Sequence, residues 1–190
     1  MPSTKKSAFE DFDVMAGQGT AGLEIVKELN SKSEQLDTFL SPCGGGGLLA
    51  GTSTAIRGSL PSVRIYGVEQ EQYDDHARSK VAGRRVQIEV NTPTMCDALM
   101  ATIPGEMTWS VNRETVDDFL VVSEDSVAFA VAFAFRHLKL VLEPGGAVGL
   151  AALLDKRIDI SGETVAVILS GGNIDNEPFD YCQSKYPNPE

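Results

Sequence analysis

Four consecutive glycines, Gly44–Gly47, are the residues whose type and spacing speak first of chemistry. They lie between a strand-like stretch, Leu36–Leu40, and a helix-like one, Leu48–Ile56. Four residues without side chains expose several unhindered backbone N–H groups, and the helix that follows adds the positive end of its dipole. Such a loop cradles an anion, a phosphate above all, without any basic side chain. A tight strand-to-helix turn needs only one glycine, so four in a row favour the anion site. Gly17-Gln18-Gly19-Thr20-Ala21-Gly22 matches the G-x-G-x-x-G pattern of dinucleotide-binding loops. That match alone is weak, and a tight helix entry is the plainer reading. Ser170-Gly171-Gly172-Asn173 follows an apolar strand, so its hydroxyl is expected in the same crevice as the four glycines. Glu143, before Pro144, is a carboxylate at a loop. Glu69 follows Gly47 at the end of the next strand, where a ribose-binding acid would sit, so a Rossmann-type nucleotide-binding domain stays open.

The elements that must position these groups alternate between strand and helix. Residues 1–10 read as a flexible arm. Val14–Ala16 is a short apolar piece before the first glycine turn, and Leu23, Val26 and Leu29 recur at helical spacing over Ala21–Leu29. Val63–Val68 reads as a strand ending in Glu69. Residues 70–112 are mixed in charge and broken by Gly83, Pro93 and Pro104-Gly105. Short helices and loops are expected there, with His76 on the surface and Met107 and Trp109 in packing roles. Asp118–Val122 is a strand. Ser123, followed by Glu124 and Asp125, has the chemistry of a helix cap. The helix from Glu124 to Leu138 is apolar on several sides and is expected between layers, with His137 at its exit. Glu143–Gly146 reads as a loop and Ala147–Leu154 as a short helix. Thr164–Leu169 reads as a buried strand, and the last ten residues as a loose tail. Continuous apolar strands between helices give an α/β fold: three layers, an open, mostly parallel sheet with helices on both faces. The main domain is expected over residues 11–175 and a tail over 176–190.

Composition narrows the function. The chain has 190 residues, with 27 acidic against 16 basic side chains and a net charge of −11. Such a surface repels phosphate backbones and anionic lipid, which argues against nucleic acid or membrane as partner. The longest apolar run, Leu138–Leu154, is broken by Lys139, Glu143, Pro144 and three glycines, too often to span a bilayer. The N-terminus carries no apolar signal core. Three cysteines, Cys43, Cys96 and Cys182, with no Cys-x-x-Cys, read as free thiols of a reduced, cytoplasmic protein. With His76 and His137 they show no zinc-ligand spacing, so no metal site is expected.

Five motifs together resemble a family. Gln18-Gly19-Thr20-x-Gly22-Leu23-Glu24, Pro42-x-Gly44-Gly45-Gly46-Gly47-Leu48, Tyr66-Gly67-Val68-Glu69, Glu143-Pro144-x-Gly146-Ala147 and Leu169-Ser170-Gly171-Gly172-Asn173 occur in this order. From about Phe9 to about Ile174 the sequence resembles the C-terminal half of the serine/threonine dehydratases and serine racemases, pyridoxal-phosphate enzymes of fold type II. The resemblance implies part of that family's large domain. It implies that Gly44, Gly45, Gly46, Gly47 and Leu48 hold the cofactor phosphate, that Ser170 hydrogen-bonds the pyridine nitrogen, and that Glu143 lies near ring and substrate. A neutral hydroxyl at the ring nitrogen makes the cofactor a moderate electron sink, suited to β-elimination of water from serine or threonine. The products would be ammonia and a 2-oxo acid.

The other half of that active site is not found in this sequence. The family's Schiff-base lysine lies in a Ser-Phe-Lys-x-Arg-Gly-Ala stretch, and none of Lys5, Lys6, Lys27, Lys32, Lys80, Lys139, Lys156 or Lys185 has that context. The substrate-carboxylate loop and the serine on the opposite cofactor face are missing too. No catalytic residue is therefore assigned. Some family members bind a divalent metal near this chain's residues 93–97. Asp97 matches the metal-binding aspartate, but the glutamate position falls about Pro93. A half enzyme exposes a sheet edge and an apolar cleft, so a homo-oligomer or a lysine-bearing partner chain is expected. A non-catalytic module that kept the fold and lost the reaction is the alternative.

Overall fold

The computed structural model describes residues 9–90 and 92–189. Four strands form one parallel sheet: β1 (Thr38–Pro42), β2 (Arg64–Gln70), β3 (Asp118–Val122) and β4 (Val165–Val167), in the order β3-β2-β1-β4. The helices are α1 (Phe12–Lys32), α2 (Gly47–Ser59), α3 (Asp75–Ala82), α4 (Glu106–Thr115), α5 (Glu124–Phe133), α6 (Pro144–Leu154) and α7 (Asn176–Lys185). Strand alternation sends side chains to two faces. Phe39, Ile65 and Phe119 join Val26, Leu49 and Ile56 of α1 and α2 in one core. Leu40, Val68 and Val122 join Val127, Val131, Val148 and Ala151 of α5 and α6 in the other. These two cores make the expected three-layer α/β fold, and every strand pair described is parallel.

Several elements depart from the sequence expectation. The Gly17–Gly22 motif is no turn and follows no strand; it lies inside α1, which runs unbroken from Phe12 to Lys32. Met15, Gly19, Gly22 and Val26 form its buried stripe. A Cβ at Gly22 would lie 2.8 Å from the Thr52 carbonyl oxygen, and one at Gly51 only 2.1 Å from that of Met15. The glycines thus let two backbones approach. Pro144 opens α6 rather than sitting in a loop, a residue type suited to a helix's first turn. The apolar helix 124–138 changes to π geometry at Ala134–Leu138, with His137 on that last turn. β4 is shorter than expected and only half-buried, and it pairs with β1 alone. The expected tail is largely helix α7, whose Cys182 is buried against the second core. Residues 1–8 of the expected arm lie outside the described residues. The three cysteines are free and buried. Among the described residues, no helix is long and apolar enough to cross a membrane.

This packing separates two glycines of the α1–α2 pair. Gly51→Val is expected to force α1 off α2 and destabilise the chain by about 1–3 kcal/mol. Gly17, exposed in α1 with nothing within 4 Å of a built Cβ, behaves oppositely. Gly17→Ala should stabilise by about 0.5–1 kcal/mol. Urea denaturation of the two variants checks both signs.

Candidate functional site

The sheet sets the site's position: β1 ends at Pro42, and the chain turns through Cys43 and the glycines into α2. Cys43 N donates to Val68 O at 2.8 Å, so the loop starts from a fixed point. Gly46 has φ +90°, a conformation that favours glycine. It caps α2 without a side-chain hydrogen bond, which leaves the helix's first amides open. The loop is held from beneath by α4. Thr108 Oγ1 donates to Gly45 O at 2.7 Å, and Asn112 Nδ2 to Gly46 O at 3.2 Å. A trans peptide places C=O and N–H on opposite sides. Fixing those two carbonyls inward therefore turns the Gly46 and Gly47 amides outward.

Across from the loop, the chain leaving β4 reaches Ser170. Ile168 N donates to Leu40 O at 3.0 Å, which keeps this exit in register with β1. Gly171 then turns with φ +74°. Glu143 grips the turn twice: its N donates to Gly171 O at 3.2 Å, and its Oε2 accepts from Asn173 N at 3.2 Å. Gly146 lies so close that a Cβ there would sit 1.4 Å from Ser170 O. The turn is thereby fixed by the first turn of α6.

Gly44, Gly45, Gly46, Gly47, Leu48, Glu143 and Ser170 line one cleft of about 270 Å³. That is slightly below the usual range of about 300–1,000 Å³ for small-ligand sites. Every residue expected from the sequence to contact a cofactor is brought together there. Phe9, Ala98, Leu99 and Gly145 also line the cleft, beyond those expectations. The Phe9 ring lies over Gly45, where a Cβ would stand 2.3 Å from it. Among the described residues, no lysine lines the cleft. Thr108 and Asn112 could have been found as two polar residues one helical turn apart on α4, although nothing local says what they hold.

Beneath the loop lies a second, fully buried polar group. Glu69 does not reach toward a ribose. Its carboxylate accepts from His76 N at 2.9 Å and Ala77 N at 2.8 Å, capping α3. His76, expected at the surface, is buried between Phe119 and Trp109. Its Nδ1 lies 3.6 Å from Glu69 Oε1 and 3.5 Å from Asp75 Oδ2. Burial opposes charge on this imidazole, but Cys43, Asp75 and Glu69 outweigh it and hold the pKa well above the ordinary histidine value. Burial pushes the Cys43 thiol up to about 11. Asp97, by contrast, is exposed in a short 3-10 turn, Asp97–Leu99.

A parallel α/β sheet with a glycine-rich loop at the C-terminal end of a strand has its cleft where open α/β folds place their ligands. Residues 5–171 match the pyridoxal-phosphate dependent enzyme family, and the chain belongs to it. It is 39% identical over 177 residues to L-threonine ammonia-lyase of Thermotoga maritima, covering 93% of this chain and 43% of that protein. It is 37% identical over 172 residues to serine racemase of Oryza sativa, covering 88% of this chain and 49% of that protein. The crystal structure of the T.th. threonine deaminase superposes with a TM-score of 0.83 at 42% identity. That superposition covers 88% of this chain and 59% of the other. The chain thus spans about half the length of these relatives and is of the serine/threonine dehydratase-like, fold type II kind.

Removing the hydroxyl of Thr108 in Thr108→Val leaves Gly45 O without its donor. We expect a loss of about 1–3 kcal/mol. Faster amide hydrogen exchange, concentrated at Gly45–Leu48, should accompany it. Uniform acceleration across the chain would show that Thr108 does not hold the loop.

Proposed function

We propose that this chain is the cofactor-holding part of a serine/threonine dehydratase-like enzyme. One observation carries the reading: Gly44–Leu48, Glu143 and Ser170, far apart in sequence, line a single cleft at the ends of β1 and β4. The residues fit a phosphorylated pyridine. The outward amides of the loop and the α2 dipole would hold the phosphate. The Ser170 hydroxyl would meet the ring nitrogen and leave it neutral. Glu143, tied to Asn173 N, would hold the Ser170 turn beside ring and substrate. Pyridoxal phosphate, when bound, supplies the electron sink for eliminating water from serine or threonine.

The cleft offers no lysine among the described residues to anchor the cofactor or take the substrate's α-proton. That group would come from the other half of the fold, on this polypeptide or a second one. Its docking surface is supported by the free side of β4 and the groove beside it, lined by Ala21, Ile25, Leu29, Ala166 and Ile168. An unpaired edge next to exposed apolar surface favours association.

Native mass spectrometry with added pyridoxal phosphate tests the reading. We expect one cofactor per chain and a species larger than the monomer. Gly45→Val, whose side chain would point into the cleft at Phe9, should abolish cofactor retention while the fold persists by circular dichroism. Ser170→Ala should weaken it about 5- to 10-fold, the worth of one hydrogen bond. Elimination of water from serine or threonine should need the lysine-bearing half. No retention at millimolar cofactor would overturn the proposal.

A further inference from the structure

We propose that Cys43, Glu69 and His76 form a buried site for a thiophilic divalent cation of the zinc class, directly beneath the four-glycine loop. The cofactor cleft does not use these side chains, and the site stands apart from the proposed activity. The three residues come from different elements: the end of β1, the end of β2 and the first turn of α3. Cys43 Sγ, a Glu69 oxygen and a His76 ring nitrogen all lie within 4.8 Å of one another. Their exposures are 1%, 0% and 0%.

The donor set has the right chemistry. Thiolate, imidazole and carboxylate are the ligands zinc takes, at about 2.0–2.3 Å. Such bonds span donor pairs of roughly 3.3–3.8 Å in a tetrahedron. The 3.6 Å between His76 Nδ1 and Glu69 Oε1 falls in that range, and pairs near the 4.8 Å bound would close by about 1 Å. A thiolate, a carboxylate and a neutral imidazole also balance a divalent charge, which a dry interior demands.

A second observation points the same way. Neither ring nitrogen of His76 has a hydrogen-bond partner among the described residues, nor does either carboxylate oxygen of the adjacent Asp75. Buried polar atoms are nearly always satisfied, and a buried imidazole without a partner beside a thiol and a carboxylate calls for a ligand. Asp75 Oδ2, 3.5 Å from the same Nδ1 that Glu69 approaches, faces the side of the ring that the cation would occupy. The site also touches the loop: a Cβ at Gly46 would be 2.7 Å from His76 Nε2. A cation here would brace β1, β2 and α3 behind the anion cradle. The sequence conceals the set, since residues 43, 69 and 76 have no zinc-motif spacing and meet only through the sheet.

Cobalt(II) titration of the chain is the test, with zinc as competitor. We expect one equivalent of tetrahedral cobalt with a thiolate-to-metal charge-transfer band, displaced by one equivalent of zinc. Cys43→Ser should lose that band and weaken binding beyond the ~10–100-fold caused by loss of an outer hydrogen-bonding partner. Cys182→Ser, outside the donor set, should bind unchanged. X-ray absorption of the zinc-loaded unmodified chain needs no variant, and should show one sulfur at about 2.3 Å among lighter donors. A shell of oxygen and nitrogen alone, or cobalt bound without a thiolate signal, would overturn the site. His76 would then be an imidazolium paired with Glu69 and Asp75, and the cation a visitor to the acidic surface.

Discussion

Two hydrogen bonds from α4 to the glycine loop, Thr108 to Gly45 O and Asn112 to Gly46 O, are the contacts on which the site depends. Because a peptide's carbonyl and amide point opposite ways, pinning the carbonyls inward commits the amides outward. A glycine-rich segment without such restraint would sample many conformations and lose its preorganisation as an anion site. The restraint explains otherwise unrelated features. α4 must pack against α2 beside the loop, and Trp109 on it is buried. Gly46 must accept a positive φ, and a side chain at that position would strike His76 and Asn112.

Glycine does two different jobs in this chain. In the loop it leaves backbone amides unhindered. In α1 and α2 it removes bulk so that helices can touch. The G-x-G-x-x-G pattern belongs to the second use. Its Gly19 and Gly22 are three residues apart, which on a helix is one face, continued by Met15 and Val26. The same letters after a real strand would have read as a phosphate turn. What decides between them is the flanking period, helical here over a span too long for a turn.

Much of the frame was legible in the sequence. Asp118–Val122 forms β3 with the expected bounds, and Ser123 Oγ caps α5 by accepting from Ser126 N at 3.1 Å. Both rest on local chemistry. The seven cleft residues are named together through the family resemblance that the motifs carry, and the sheet brings them to one cleft. What stayed hidden depends on tertiary contact. His76 looks like any polar residue until Glu69 caps its helix and draws it inside. α7 carries a weak apolar pattern and is fixed by Phe179 and Cys182 against the second core.

The central claim is that the Gly44–Leu48 amides receive a cofactor phosphate. The most direct measurement is the amide nitrogen–proton NMR spectrum during titration with pyridoxal phosphate, beside a matched titration with pyridoxal. If the cradle works as argued, the amides of Gly45–Leu48 shift saturably with pyridoxal phosphate, and inorganic phosphate at higher concentration moves the same signals. Loop amides that stay still, or that respond equally to pyridoxal without its phosphate, would contradict it.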